Sequence, residues 1–507
     1  MGKKSGKKES GGRERSNIIS GEEKYQVNSL KDLNSENLKG VLMHNRYAQM
    51  LLGLVIAGFL LRFYNLGFNS IWLDEGSTLG FAKQSLSGIW AATSGGEFNP
   101  PLFYYMEHFM LVFGDSEFTL RFLPALFGSL TVPVMYLIGR EISGRLGGII
   151  AAALMAFSTF HIFYSQDARA YTTMLFFFSI AVFFYLLALK SDSYKYWICF
   201  GVFSALSFWT HFYVFLAIGI LILHALIVKR DLIIKDIKTI KPVLIGLLSF
   251  LIVALPIIYV TVGLFFKRTS APPTWGLSGV DVFTSTLILI SGSNIYLTLI
   301  FLILAVIGII FLFINEDKRN YAYLIILSLI LPFIVSIILS SKIPMSPRYL
   351  IYILPFYFTA IGAAFGFVPK DIDYKKVAAL AMAVLFIVSI PYFTAYYTSY
   401  SKNDWRGFSG ALSDITEDGD YVVVMPGYMR QPLDYYYDSN LDGVIELTAG
   451  DSEMLGKIEL QRGNTTAYYV VTWDITAANP EGDALEWLNA NTLTVGQYMG
   501  IYLLKSK

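Results

Sequence analysis

Several short stretches of this chain place ionisable side chains where apolar sequence stops. NSIWLDEGS at 69–77 carries Asp74 and Glu75 just past the first long apolar run. GGEFNPPLFYYMEHF at 95–109 adds Glu97, Glu107 and His108. SQDARAY at 165–171 sets Asp167, Arg169 and Tyr171 between two apolar runs; His211 heads another; Lys342 and Arg348 flank IPMSP between two more. A carboxylate at such an edge can take the proton of an attacking hydroxyl. A guanidinium fits a phosphate with two parallel hydrogen bonds, and an ammonium offers a point charge. Together these types suit moving a group from a lipid-phosphate donor to a hydroxyl acceptor, with the carboxylate as base and the cations holding the departing phosphate.

Each residue has a plainer reading. Asp74 can cap a helix over 76–90, with Glu75 favoured by its dipole. Asp167 and Arg169 can pair with each other, a small gain at a surface. Glu107, His108 and His211 can reach the headgroup layer from interfacial positions. Lys342 and Arg348 can be ordinary headgroup contacts, and Trp72 can anchor its loop at the interface. Charges in a short loop among apolar neighbours nevertheless weigh toward function, because ionisable groups at membrane depth are costly.

The elements that must position them are membrane helices. The 507 residues are 55% hydrophobic and only 15% charged, against about 25% charged in soluble domains. Repeated long apolar runs predict spans near 47–66, 118–139, 145–160, 171–189, 196–210, 212–229, 242–264, 294–315, 321–341, 349–368 and 375–397. PPLFYYMEHFMLVF at 100–113 is too short to span and reads as an interfacial helix, as does 76–90. The basic loops GREISGR, KSDSYKY, VKRDLIIKDIKTIK, NEDKRN and PKDIDYKK then share the cytoplasmic side with the N-terminus. All the candidate residues fall on the opposite face.

Residues 1–46 are polar and Lys/Arg-rich and predict a disordered cytoplasmic tail; its MGKKSG start is only a short match to a myristoylation pattern. Residues 47–398 form the membrane domain. Residues 399–507 turn polar, with strand-like runs at 421–426, 443–447, 467–473 and 498–504 and helical patterns at 405–416 and 482–489, which predicts a small extracytoplasmic α/β domain. It contains the glycosylation sequon Asn464-Thr465-Thr466. The 265–293 loop is long enough to act as a lid. Near-zero net charge gives no reason to expect nucleic acid, no nucleotide fingerprint is present, and the single cysteine, Cys199, reads as a core residue.

LDE after the first span, then NPPLFYY, then FGDSEFTLRFLPALFGSLTVPVMYLIGREISG, then YSQDARAY, and finally PRYLIYILP resemble the polytopic GT-C glycosyltransferases. The likeness is to the family 39 and family 83 branches, the protein O-mannosyltransferases and aminoarabinose transferases, and is strongest over 60–190. It implies a multi-pass plasma-membrane enzyme that takes mannose or a similar hexose from a polyprenyl-phosphate donor, such as dolichyl-phosphate mannose, with inversion. The acceptor it implies is a protein, lipid or glycan hydroxyl. It places the catalytic role on Asp74, with Glu75 beside it and Asp167 as helper. It places donor phosphate at Arg348, with Lys342 and Arg169 as further cations, and leaves Glu97, His108, His211 and Tyr171 as acceptor-side or supporting residues. Metal dependence differs among the branches; a divalent metal stays open, and His211 with the acids does not define a zinc site. The competing classes are a lipid or polysaccharide transporter, which would favour midplane sites and inverted repeats, and a receptor whose binding module is the C-terminal domain.

Overall fold

A computed structural model describes residues 35–507 apart from 98, 270, 271, 370, 441 and 442. The chain is a polytopic α-helical membrane protein with a small C-terminal sheet domain. Among the described residues, eight helices are long and apolar enough to cross a membrane. Two compact units divide at Gly53. The first contains the helix Ser35–His44 and the opening turns of Arg46–Phe63. Part of the stretch expected to be a disordered tail is therefore helical, while the expectation for 1–34 lies outside the described residues.

The second unit holds the remaining helices and the sheet domain. Every expected span has a helical counterpart. The runs 118–139 and 145–160 lie in one continuous assignment, Glu117–Phe157, which breaks at Gly144 with φ 90° and ψ −177°. Only glycine adopts that geometry cheaply, so the chain turns there, and beside the turn the two halves approach so closely that a Cβ on Gly139 would strike Gly148. Helices Tyr194–Thr210 and Lys241–Arg268 approach so closely that a Cβ on Gly201 would strike the Gly246 carbonyl. Small residues permit such backbone contact in a membrane, where packing rather than water drives association. The expected span at 349–368 begins with a 3-10 segment, Pro347–Ile353, before the α-helix Leu354–Ala364.

Three expectations need correction. The stretch 76–90 is two helices, Leu73–Ala82 and Leu86–Gly95, separated where Ser85 accepts a hydrogen bond from the Gly88 N–H at 3.1 Å and starts the second. The 265–293 stretch is not one long loop, because it contains the helix Asp281–Ile290. The C-terminal run at 498–504 is not one strand: Gly500, at φ 74°, turns the chain between β4 (Thr492–Tyr498) and β5 (Ile501–Ser506). The apolar side chains on both sides of that turn mimic one continuous strand.

The domain's sheet runs β2-β1-β3-β5-β4. β1 (Tyr421–Met425) lies parallel to β2 (Ile445–Thr448) and to β3 (Ala467–Thr472), while β5 is antiparallel to both β3 and β4. β1 is buried on both faces, as parallel strands covered by helices are. Val422 and Val424 pack with Trp405, Phe408 and Leu433 on one side, and Val423 and Met425 with Leu455 and Leu488 on the other. Leu73, the first residue of the helix that bears the acidic pair, packs against the first of these cores. The domain therefore sits directly on that helix start. Asn464 of the sequon is exposed, just before β3.

Candidate functional site

Asp74 and Glu75 lie in the first turn of the helix Leu73–Ala82. Successive residues on a helix diverge by about 100°, so the pair splits between two environments. Trp72, not Asp74, precedes the helix as its cap, and the Trp72 N–H reaches Glu75 Oε2 at 3.4 Å.

Glu75 turns into the protein and is fully buried. Arg121 meets it with two parallel bonds, Nε to Oε1 and Nη2 to Oε2, both 2.7 Å. Oε1 also accepts from the Ala168 N–H at 2.9 Å, and Lys402 Nζ lies 3.1 Å away. The same guanidinium donates to the carbonyls of Leu66, Asn69 and Ser70 at 2.8–3.0 Å, which ties down the loop leading to the helix. Burial alone would raise the Glu75 carboxyl. The adjacent charges of Arg121 and Lys402, with the hydrogen bonds, overcome it and hold the group at about 2.

Asp167 is equally buried. It does not pair with Arg169. Its Oδ1 accepts from Trp72 Nε1 at 2.7 Å and from Lys402 at 3.0 Å, and its Oδ2 has no hydrogen-bond partner among the described residues. Burial raises its carboxyl, opposed by Lys402 and reinforced by Glu75. Trp72, read from sequence as an interface anchor, is thus a donor inside this buried network.

Asp74 points the other way, into a cavity of about 150 Å³. Its Oδ2 lies 3.1 Å from Arg348 Nη1 and 3.9 Å from Arg169 Nε, and its side chain keeps 23% exposure. Arg169 also donates to the Asp74 carbonyl at 3.1 Å and to Thr78 Oγ1 at 3.3 Å. Arg348 is caged by the rings of Trp72, Tyr171 and Tyr349, 5.5–5.7 Å from their centroids, a contact that favours a desolvated guanidinium. The far wall carries Glu97, whose Oε1 accepts from Tyr104 at 2.8 Å and from Asn99 at 3.2 Å. His211 closes another side. Burial, with Arg169 and Arg348 nearby, pushes it down to about 3, so it stands neutral, and its Nδ1 has no partner among the described residues.

This polar cavity continues into apolar space. A neighbouring pocket shares Glu97, Asn99, Phe212 and Tyr213 and is lined beyond them by Ile257, Leu264 and Phe265. A groove of about 470 Å³ shares Phe212, Tyr213 and Phe265 and extends along Phe208, Val262 and Leu339. Ile257, Val262, Leu264 and Phe265 belong to the helix Lys241–Arg268 and Leu339 to Arg319–Leu339, both in stretches long and apolar enough to cross a membrane.

Of the residues expected to form a site, Asp74, Glu97, Arg169, Tyr171, His211 and Arg348 line this one cavity. Glu75 and Asp167 stand behind it in the buried network. Lys342 is exposed and His108 binds the Ala82 carbonyl at 2.8 Å; neither lines the cavity. Glu107 does not take its plainer reading, reaching the headgroup layer: it is fully buried with both oxygens unpartnered among the described residues, and burial raises its carboxyl far above the ordinary range. Sequence reasoning missed Arg121, Lys402 and Trp275. A lone arginine in the apolar run FTLRFLP is a signal, because such a charge needs a buried partner; Lys402, in a polar connection, offers none. Among the described residues no three His, Cys, Asp or Glu side chains converge to hold a metal ion.

Residues 99–260, about a third of the chain, match the family described as dolichyl-phosphate-mannose-protein mannosyltransferase. No curated protein sequence matches the chain. Among solved structures it is similar to ArnT from Cupriavidus metallidurans bound to undecaprenyl phosphate, with TM-score 0.53 at 13% identity over 90% of this chain and 98% of that one. The apo state of the same protein gives 0.54 at 14% identity over the same shares. The oligosaccharyltransferase of Archaeoglobus fulgidus tethered to an acceptor peptide gives 0.51 at 14% identity, over 90% of this chain and 74% of that one. At these identities the likeness establishes the fold.

Proposed function

Taking a GT-C glycosyltransferase fold as premise, we propose that this chain transfers a sugar from a polyprenyl-phosphate donor to a hydroxyl acceptor. The observation that carries the reading is the make-up of the cavity: one carboxylate, Asp74, lies between two guanidiniums, and the space beyond turns apolar toward the membrane. A lipid-linked sugar phosphate has the same order of parts. The isoprenoid chain fits the groove, the phosphate fits Arg348 and Arg169, and the sugar lies against Asp74. The matched family's printed description, dolichyl-phosphate-mannose, and the undecaprenyl phosphate in the similar ArnT structure support this donor class.

In this mechanism the acceptor hydroxyl attacks the anomeric carbon while Asp74 takes its proton. The bond from that carbon to the phosphate oxygen breaks, and polyprenyl phosphate leaves with its added charge held by Arg348 and Arg169. Attack from the side opposite the leaving group inverts the anomeric centre. The resting Asp74–Arg348 pair has a consequence. A donor phosphate competes for Arg348, so donor binding frees the carboxylate for the proton. Glu75 and Asp167 support this arrangement from the buried network rather than meeting the sugar. Glu97, Asn99, His211 and Tyr171 face the sugar and acceptor, where a neutral imidazole can exchange hydrogen bonds with hydroxyls.

The sugar we favour is mannose or a similar hexose. The acceptor is a protein, lipid or glycan, and the site faces outward on a multi-pass plasma-membrane protein with a cytoplasmic N-terminus and an extracytoplasmic C-terminal domain. The basic-loop bias supports that orientation. The test supplies purified protein with polyprenyl-phosphate mannose or glucose, labelled in the sugar, and measures free polyprenyl phosphate and labelled product. Release of both is expected. If no lipid-linked donor is consumed with any acceptor class, the reading fails and a transporter becomes the better account.

A further inference from the structure

We propose that Lys402 is a positioning residue through which the C-terminal domain holds the carboxylate loop in register with the cavity. The consequence for catalysis rests on the glycosyltransferase reading; the ion cage itself does not.

Lys402 lies in the short connection between the apolar helix Tyr374–Thr398 and the domain's first helix, Trp405–Ser413. A lysine in such a connection normally keeps its ammonium in water. This one is 5% exposed and is inserted between two buried carboxylates, 3.1 Å from Glu75 and 3.0 Å from Asp167. Glu75 comes from the first turn of the helix Leu73–Ala82 and Asp167 from the loop before Tyr171–Ser191, so one ammonium ties three segments of chain together. Burying it is affordable only because both partners are close.

The contacts continue toward Asp74. Lys402 lies over the Trp72 ring at 5.8 Å; the Trp72 N–H binds Asp167; the same ring faces Arg348 at 5.7 Å; and Arg348 holds Asp74. The flanking residues grip the loop as well. The Ser401 N–H donates to Asn69 Oδ1 at 2.8 Å, and the Arg406 N–H donates to Ser70 Oγ at 3.1 Å. Tyr436 Oη accepts from the Ile71 N–H at 2.8 Å and donates to Glu117 at 2.6 Å, and Ser77 Oγ donates to Gln431 at 2.7 Å. From Asn69 to Ser77, the loop and the helix start that carries Asp74 are held by the connection and the C-terminal domain. The ionisable groups facing this cage are Glu75 and Asp167, with Arg121 and the buried Glu107 near Glu75 and Tyr396 and Tyr164 beside Asp167.

Thermal unfolding of the full chain in detergent across pH 5–9 tests this on wild type, Lys402→Met, Lys402→Arg and the double variant Lys402→Met/Asp167→Asn. Without the ammonium, the folded Asp167 carboxyl prefers its proton more strongly than the unfolded one. A group whose folded value is raised loses its stabilising contribution as pH rises. The Tm of Lys402→Met is therefore expected to fall with rising pH more steeply than wild type. The double variant, with a neutral amide that needs no cation, is expected to return to the shallow profile, and Lys402→Arg to stay near wild type. With a lipid-linked donor, Lys402→Met should lose roughly 10- to 100-fold in kcat, as for a misplaced catalytic group, with KM for donor little changed. If no donor is turned over by wild type, the sugar-transfer reading has failed while the Tm profiles still decide the cage. If Lys402→Met does not fold, the double variant carries the test and must fold. A Lys402→Met profile parallel to wild type, or a double variant no better than the single one, overturns the proposal.

Discussion

Glu75 and Asp74 are neighbours of the same chemical type, and the fold gives them opposite surroundings. On one side of the helix start lies a dry cage, Glu75 and Asp167 with Arg121 and Lys402, every side chain at or below 5% exposure. On the other lies an accessible cavity in which Asp74 keeps 23% exposure beside Arg348 and Arg169. In the cage each charge is paired with a buried partner and none lines the cavity, so it can hold geometry but does not meet the space a substrate would fill. In the cavity the carboxylate shares its partner Arg348 with the phosphate of the proposed donor, which can draw that cation away. Site candidates are therefore better sorted by what could compete for their partners than by residue type or by burial alone.

Four variants sharpen or break this contrast, in order of effect. Asp74→Asn is expected to lower transfer by about 10²–10⁴-fold while leaving Tm near wild type, read by product formation and thermal unfolding on the same preparation. Glu75→Gln should behave the opposite way at first: removing one member of a buried pair costs about 3–5 kcal/mol, visible as a large drop in Tm, with activity lost only as folding is lost. The pH dependence follows from the same pair. Because Glu75 is held at about 2 against an ordinary 4.5, its contribution is present above 4.5 and lost as pH falls toward 2; a Tm profile over pH 3–6 should show this loss in wild type and not in Glu75→Gln. Arg348→Lys keeps the charge but not the fork; a donor KM raised about tenfold is expected from titration with polyprenyl phosphate sugar. Tyr436→Phe removes the bonds to Ile71 and Glu117 and should cost only about 1 kcal/mol by thermal unfolding. Equal behaviour of Asp74→Asn and Glu75→Gln in both assays would erase the distinction between cage and cavity.

Much of this was legible in the sequence. Each expected membrane segment is helical because apolar length is a strong signal in a bilayer, and even the break between 118–139 and 145–160 is where Gly144 interrupts the helix. Six of the expected site residues meet in one cavity. The remainder depended on tertiary pairing, which leaves no local trace. Nothing in LDEGS says which acid faces inward; Arg121, 46 residues away, decides it. Nothing in the polar run around Lys402 signals burial. The hairpin at Gly500 was hidden by apolar residues on both sides of its turn, and the two short helices at 73–95 read as one because their apolar spacing continues across Ser85.

The proposed mechanism turns on Asp74 taking the proton in sugar transfer from a lipid-phosphate donor. Single-turnover transfer from pre-bound polyprenyl-phosphate sugar, with Asp74→Asn beside wild type, separates chemistry from binding. The variant is expected to bind donor and to release almost no product within the time wild type completes its turnover. Product formation at the wild-type rate would contradict it.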